Sequence, residues 1–310
     1  MIRLLVDMGG TNTRCALSQG RTIDAIRHFS NADFDGPAAL LQSYCASLPA
    51  ARRPVAAALA VAAPVRGDCV NLLNIDWEFS TVALQATLGF KRIGVLNDFA
   101  ALAYALPGLG APDLYQLGGG IAVSGQPKVV LGPGTGLGVA ALLPVGTGWQ
   151  AISGEGGHVS LPASDATEAG VIEAARISLG HCSAERLISG PGLALLHELL
   201  HKGVTSKPES ISQLAAAGDS QATQTLHMFC RLLGTVAGDL ALTFGAFGGV
   251  YIAGGILPRL AAQLAESGFR ARFEAKGRYA AYLGAIPTWL ITSADPTLRG
   301  LAAWSADWDA

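Results

Sequence analysis

Residues 93–107 read IGVLNDFAALAYALP, and their pattern changes midway from that of a strand to that of a helix. The apolar run before Asn97 is typical of a short buried strand, and from Phe99 onward apolar residues recur at the spacing of one helical face. Asn97 and Asp98 therefore lie where the strand ends, at the sheet edge where open α/β proteins bind ligands. Aspartate is also a favoured N-cap, so these residues alone leave helix capping and catalysis open for Asp98.

The composition is that of a compact α/β protein. The chain has 310 residues, of which 50% are hydrophobic and 14% charged, with a formal net charge of −2, and this length can form two lobes. No run of lysine or arginine is present, which argues against nucleic acid or an anionic membrane as partner. Scattered cysteines without a C-x-x-C pair, and an N-terminal apolar segment too short for a signal peptide, predict a cytoplasmic protein.

The longest apolar segment, residues 232–256, has the length of a membrane span but not its composition. Asp239 lies within it, and glycines at 245, 248 and 249 interrupt it. We therefore predict a buried helix that ends near Phe244 and a core strand over residues 250–253.

An internal repeat organises the chain. A strand, a Gly/Thr loop and a second strand occupy residues 2–17, and the same pattern returns over residues 129–143. Because a Gly/Pro-rich passage follows Pro107, we predict two α/β domains. The smaller would contain residues 1–107 with a C-terminal helix of about 297–310, and the larger residues 108–296.

The two Gly/Thr loops are candidates for phosphate binding. Successive backbone N–H groups of such a loop can form a concave anion site, although a single loop of this kind is more often a plain turn. Neither loop matches the P-loop or the G-x-G-x-x-G pattern. A third glycine pair, Gly254-Gly255, follows a core strand and would let a flat ligand approach the backbone.

Residues 197–201 match the zinc-protease pattern H-E-x-x-H, which offers an alternative function. His197 and His201 would share a helical face and bind zinc, with Glu198 as base. Lys207 stands where the metzincin pattern has its third histidine. The surrounding leucines are typical of an ordinary amphipathic helix, and this is the interpretation we prefer.

Seven motifs together suggest a family. They are D-x-GGTN (7–12), NDF (97–99), G-x-GTGLG (132–138), GEGGH (154–158), SAER (183–186), SGPG (189–192) and IAGGI (252–256). In this order, to about Gly300, they closely resemble bacterial ATP-dependent glucokinase, which phosphorylates glucose in glycolysis. The resemblance implies a two-lobed α/β fold of the actin/hexokinase-like (ribonuclease H-like) type, with duplicated mixed β-sheet cores and an interlobe cleft.

The resemblance also implies the roles of individual residues. The ATP phosphates would contact Asp7, Gly9, Gly10, Thr11, Asn12, Gly134 and Thr135, and adenosine would border Gly254 and Gly255. The sugar would be held by Asn97, Asp98, Glu155, His158 and Glu185. Asp98 would accept the proton of the glucose 6-hydroxyl, and Asp7 would face Mg²⁺ through water.

Other interpretations of these residues stay open. Glu155 could be a surface loop carboxylate, and Glu185 could form an ion pair with Arg186. In related repressor–kinase proteins a histidine like His158 joins a zinc-binding cysteine cluster, but no such cluster is present here. We therefore interpret His158 as a sugar ligand.

The sequence alone leaves two alternatives to glucokinase open. The chain could be a kinase for mannose, fructose or an N-acetylhexosamine, or a sugar-sensing regulator on the same fold. Such a regulator usually adds an N-terminal DNA-binding domain, whereas here the first predicted strand begins at residue 2. A homodimer is what the resemblance suggests.

Overall fold

The structure, a computed structural model, describes residues 1–72, 75–255 and 257–309. Its strands are β1 (Ile2–Met8), β2 (Asn12–Gln19), β3 (Thr22–Ser30), β4 (Ala56–Val61), β5 (Cys69–Leu72), β6 (Trp77–Ser80), β7 (Arg92–Asn97), β8 (Leu114–Gly118), β9 (Lys128–Pro133), β10 (Leu137–Val145), β11 (Gly148–Gly154), β12 (Val250–Ile252) and β13 (Thr288–Ile291).

The helices follow in chain order. They are α1 (Pro37–Ala46), α2 (Thr81–Leu88), α3 (Asp98–Ala103), α4 (Ala166–Leu179), α5 (Ala184–Leu187), α6 (Gly190–Leu200), α7 (Pro208–Ala216), α8 (Ser220–Phe244), α9 (Ala261–Glu266), α10 (Phe269–Glu274), α11 (Ala280–Gly284) and α12 (Pro296–Trp304). The chain divides into two compact units, the first formed by Met1–Gly108 with Ala294–Ala310 and the second by Leu109–Ser293.

The sheet of the first unit has the strand order β3-β2-β1-β4-β7. Strand β1 pairs antiparallel with β2 and parallel with β4, which in turn pairs parallel with β7. Every residue of β4 is buried, as expected of a parallel strand covered on both faces. Asp7 pairs with Ala60, and Val61 with Asn97, so the carboxyl ends of β1 and β7 reach the same edge of the sheet.

Helix α12 covers one face of this sheet beside α3. Gly300 permits the close approach of the two helices, because a Cβ there would clash with the carbonyl oxygen of Ala101. The buried guanidinium of Arg3 donates to carbonyls at the end of α12 and to the Gly20 carbonyl, 2.7 Å away. These contacts tie the end of the chain to the first strand. Ala310, the last residue of the predicted C-terminal helix, lies outside the described residues.

The second unit repeats this arrangement in the order β11-β10-β9-β12-β13-β8. Strand β9 pairs antiparallel with β10 and parallel with β12, and β12 pairs parallel with β13. The prediction of duplicated mixed sheets is therefore confirmed. The core of this unit is built around α8, whose buried residues include Phe229, Leu233 and Ala237.

Some elements differ from the sequence-based expectation. The sequence predicts no strand in the Gly/Pro-rich passage after Pro107, but this passage contains β8. It also predicts no helix in the polar stretch after residue 202, which contains α7, a helix that buries only Ile211. The helix after Asp98 ends at Ala103 instead of continuing to Leu106.

The apolar segment 232–256 forms the end of α8 and strand β12, as predicted. Ile256 lies outside the described residues. Among the residues that are described, no helix combines the length and the apolar character of a membrane span.

Candidate active site

The Gly/Thr loop of the first unit joins β1 to β2. Its carbonyl oxygens are held within the protein: Asn12 accepts a hydrogen bond from the Gly9 N–H (3.0 Å), and Gly9 accepts one from the side chain of Asn31 (2.8 Å). The N–H groups of Gly10 and Thr11 have no acceptor in the described part of the chain. The loop therefore presents donors, which is the requirement for binding phosphate oxygens.

Asp7 lies at the end of β1, next to this loop. Its carboxylate is 3.2 Å from the guanidinium of Arg14, which also lies 3.5 Å from Asp295. Burial raises the pKa of Asp7, the Arg14 charge opposes this rise, and the Asp295 charge adds to it. The carboxyl group is therefore harder to ionise than an ordinary aspartate, and a further cation nearby would favour its charged form.

The structure decides which of Asn97 and Asp98 caps the helix. Asn97 is the N-cap of α3, since its Oδ1 accepts from the N–H groups of Phe99 and Ala100 at 3.0 and 3.2 Å. Asp98 is the first helical residue, and its carboxylate accepts from the Phe99 N–H at 2.9 Å. Capping therefore does not account for Asp98.

The environment of Asp98 raises its affinity for a proton. Burial raises its pKa to about 7, the negative charge of Asp7 contributes to the rise, and the Phe99 N–H opposes it. A base whose pKa lies near the working pH is the most effective in proton transfer.

The residues here fit a magnesium ion. A negative charge at Asp7 raises the pKa of the Asp98 carboxyl, so a divalent cation at this position would relieve a repulsion already present. Mg²⁺ keeps several waters and needs only one or two carboxylates in addition to substrate phosphates. In the described ranges no three histidine, cysteine or acidic side chains are grouped to hold a metal by themselves.

The Gly/Thr loop of the second unit joins β9 to β10 and has the same hydrogen-bond plan. The Gly134 N–H donates across the turn to Gly136 (2.7 Å), and the Gly134 carbonyl accepts from the Gly190 N–H at the start of α6 (2.8 Å). Gly134 and Thr135 are exposed, and a Cβ at Gly134 would meet no atom of the described chain within 4 Å.

The glycine pair after β12 lies against this loop. The steric reason for glycine at position 254 differs from the predicted one. The sequence-based argument reserved the space at Gly254 for adenosine. Instead Gly254 has φ +110°, and a Cβ there would clash with the carbonyl oxygen of Pro133. The backbone itself therefore requires glycine at position 254, whereas Gly255 faces open space, and the predicted contact of both with adenosine stays a proposal.

Two of the predicted sugar residues of the second unit come together. The Glu185 carboxylate accepts from the Leu137 N–H at 2.9 Å and lies 3.9 Å from His158 Nε2. Glu155 is exposed and begins the short turn that ends at His158, whose N–H donates to the Glu155 carbonyl (3.0 Å). Gly157 lets this turn pack on β10, because a Cβ there would clash with the Leu137 carbonyl. The contact with Leu137, rather than a pair with Arg186, orients Glu185.

The H-E-x-x-H motif has a structural role. His197 Nδ1 and His201 Nε2 both contact the hydroxyl of Thr225 on α8, at 2.9 and 3.1 Å. Burial and the neighbouring His201 lower the pKa of His197. The two imidazoles therefore join α6 to α8, and a zinc site is not needed to explain them.

We expect substitutions at Gly134 and Gly254 to differ in kind. Gly134→Val should raise the KM for ATP about tenfold and change the KM for glucose less than about threefold, because a Cβ there meets no atom of the described chain and would enter the space predicted for phosphate. Gly254→Val should lower the melting temperature and damage both KM values, since valine strains a positive φ and clashes with Pro133. Steady-state kinetics with thermal unfolding checks both. An unstable Gly134→Val protein would contradict the assignment.

Comparison with known proteins identifies the family of the chain. The chain matches the Glucokinase family over residues 4–308. It is 46% identical to a glucokinase of Chromobacterium violaceum, over 98% of this chain and 89% of that protein. The crystal structure of a glucokinase from an Antarctic psychrotroph superimposes with a TM-score of 0.87 at 38% identity, covering 98% of each chain.

A more distant structure shows how widely the fold extends. The ROK family glucokinase of Streptomyces griseus, solved with glucose and AMPPNP, has a TM-score of 0.64 at 18% identity, over 98% of this chain and 99% of that one. The fold, as predicted, is that of the actin-like ATPases, and the chain is an ATP-dependent hexose kinase of this fold. Within that class it belongs to the glucokinase family, which confirms the resemblance seen in the sequence motifs.

Proposed function

We propose that this chain transfers the γ-phosphoryl group of ATP to the 6-hydroxyl of D-glucose, with Asp98 as the general base. The observation that carries the role of Asp98 is its carboxylate with a pKa of about 7, at the carboxyl end of β7 in a chain of the glucokinase family. Because its hydrogen bond comes from a backbone N–H, the carboxylate is held in place while it keeps further capacity to accept a proton.

The sugar would be bound by carboxylate, amide and imidazole side chains. A ring of hydroxyls both donates and accepts hydrogen bonds, and carboxylate, amide and imidazole groups match it. We assign Asn97 and Asp98 of the first unit, and Glu155, His158 and Glu185 of the second, to this role. The contact between Glu185 and the Leu137 N–H supports the assignment, because it holds a carboxylate oriented without using all its acceptor capacity.

ATP would be bound by the two Gly/Thr loops. In the first unit we assign Asp7, Gly9, Gly10, Thr11 and Asn12 to the phosphates, and in the second Gly134 and Thr135, with Gly254 and Gly255 beside adenosine. The free N–H groups of Gly10 and Thr11 support this, since they can donate to phosphate oxygens. Mg²⁺, held near Asp7 through water, would offset the negative charge that develops on the phosphates.

The chain's own groups perform the proton transfer. Asp98 in its ionised form accepts the proton of the 6-hydroxyl as this oxygen attacks the γ-phosphorus, and releases it once the product leaves. Burial is the largest cause of the raised proton affinity of Asp98, and it makes the carboxylate a stronger base than ordinary aspartate.

We expect the kcat/KM for glucose to rise with pH around neutrality. Since the pKa of Asp98 is about 7, the group is protonated and inactive as a base well below pH 7 and ionised above it. A pH–rate profile from 5.5 to 8.5 at saturating ATP should show one ionisation near 7. A flat profile over this range would contradict the assignment of Asp98.

The direct test of the proposed function is a coupled assay of ADP release. Glucose should be required for ADP release, which separates a kinase from a sugar-sensing regulator that binds without turnover.

We further propose that the protein acts in the cytoplasm as a homodimer without nucleic acid or membrane partners. The formal net charge of −2 supports the absence of polyanionic partners. Sedimentation would test the dimer.

A further inference from the structure

The first unit contains a buried polar residue that the proposed reaction leaves unexplained. Asn31 follows β3, is only 2% exposed and directs its side-chain polar atoms at the loop between β1 and β2 and at the start of β2. Its Nδ2 donates to the Gly9 carbonyl at 2.8 Å, and its Oδ1 accepts from the Thr13 hydroxyl at 2.7 Å. Its backbone N–H donates to the Thr11 carbonyl at 2.9 Å.

These contacts determine which groups of the loop face a ligand. The carbonyl oxygens of Gly9 and Thr11 are both bonded to Asn31, and the carbonyl of Asn12 to the Gly9 N–H. A peptide unit whose carbonyl points inward directs its N–H outward. Carbonyl oxygens left free to turn outward would repel phosphate, so the Asn31 contacts preserve the donor character of the loop.

In the second unit, backbone atoms alone anchor the carbonyl of the corresponding glycine. Gly134 corresponds to Gly9: its N–H donates across the turn, and its carbonyl accepts from a donor outside the hairpin, the Gly190 N–H. In the first unit that outside donor is the carboxamide of Asn31. The repeated plan shows that anchoring of the first glycine's carbonyl is common to both loops.

We propose that Asn31 is a positioning residue for nucleotide binding, which acts by holding the loop between β1 and β2 in its phosphate-binding form. It touches no substrate itself. The inference rests on the proposed function and adds a residue that none of the sequence motifs contains. We therefore expect Asn31 substitutions to weaken nucleotide binding and to leave glucose binding unchanged, because Asn31 contacts no residue assigned to glucose.

Two substitutions at Asn31 test this. Asn31→Ala removes both side-chain contacts. It should weaken AMPPNP binding, and raise the KM for ATP, by about tenfold, the effect of losing the buried hydrogen bond that anchors the Gly9 carbonyl. Asn31→Asp keeps the acceptor for Thr13 but sets an oxygen against the Gly9 carbonyl, so its nucleotide loss should be larger. The KM for glucose should change by less than about threefold in both.

Further variants keep the test valid if Asn31→Ala is unstable. Thr13→Val removes the donor that orients the carboxamide and should give a smaller loss of the same kind, which Thr13→Ser should restore. Tyr44→Phe is the matched control. It deletes another buried side chain's hydrogen bond to a backbone carbonyl of this unit, at Ala25 (2.9 Å), and should leave nucleotide binding unchanged.

The readouts are calorimetric AMPPNP binding, both KM values and thermal unfolding. Folded Asn31 variants that bind AMPPNP like an active wild type would overturn the inference and leave the proposed function intact. Equal losses for ATP and glucose would also overturn it, because they would indicate a purely structural role. A wild-type chain without ATP-dependent glucose phosphorylation would overturn the proposed function and this inference with it.

Discussion

Asp98→Asn should lower the turnover number roughly 10²–10⁴-fold, the range for loss of a general base. The amide has the size of the carboxylate and can still accept from the Phe99 N–H, so glucose binding should remain within about threefold. Calorimetry with glucose and a kinase assay on the same preparation measure the two effects. Turnover within about threefold of wild type would show that Asp98 is not the base.

The same variant should be more stable than the wild type at pH 8. The folded-state pKa of Asp98, about 7, lies above its ordinary value of 3.8, so ionisation of this group disfavours the folded state as the pH rises through 7. Asparagine carries no such cost. The gain in melting temperature should be larger at pH 8 than at pH 5, and activity and stability should therefore change in opposite directions.

Asp24→Asn is the matched control for the effect of Asp98→Asn on turnover. Asp24 is a carboxylate of the same unit, exposed and paired with Arg52. Its replacement should change turnover by less than about twofold, as expected for a surface ion pair. A comparable loss in this variant would mean that the assay reports general damage rather than loss of a base.

Glucose should be the best sugar, with fructose lower in kcat/KM by about 10⁴. Groups positioned to pair with hydroxyls reject analogues that leave them unpaired, and Glu185 is held for this role by the Leu137 N–H. Mannose and 2-deoxyglucose, altered only at the 2-position, should be weaker but measurable, and N-acetylglucosamine poor. Steady-state rates on these five sugars provide the measurement.

Glu185→Gln probes the origin of this preference. The amide oxygen can still accept from the Leu137 N–H, but the charge that strengthens hydrogen bonds to the sugar is lost. We expect kcat/KM for glucose to fall about tenfold or more while that for fructose changes little. Fructose or N-acetylglucosamine exceeding glucose in the wild type would contradict the sugar assignment and leave the kinase fold unaffected.

Strong periodic patterns made much of the fold predictable. The bounds of α8, Ser220–Phe244, follow from its long amphipathic and apolar run, and the two strand–loop–strand repeats give the duplicated sheets. The elements that were missed lack such a pattern. Strands β8 and β11 lie at the edges of their sheet, where β8 buries only Leu117 and β11 buries no residue, and α7 buries little apolar surface.

For the candidate site, the sequence located the loops but not the roles of individual atoms. Two adjacent polar residues gave no means of deciding that Asn97 caps α3 while Asp98 does not. The reason for Gly254 depends on its φ and on the Pro133 carbonyl, which lies 121 residues earlier in the chain and is brought close by the pairing of β9 with β12. Asn31 belongs to no motif, since its importance comes from carbonyls that a strand pairing brings beside it.

The most direct test of the central claim is the identity of the phosphorylated product. The wild-type chain, incubated with ATP, Mg²⁺ and glucose, should give glucose 6-phosphate and one ADP per sugar phosphate, identified by ³¹P and ¹H NMR. Asp98→Asn should give the same product at roughly 10²–10⁴-fold lower rate. Phosphate on another hydroxyl, ADP without sugar phosphate, or equal rates in the two proteins would contradict the account.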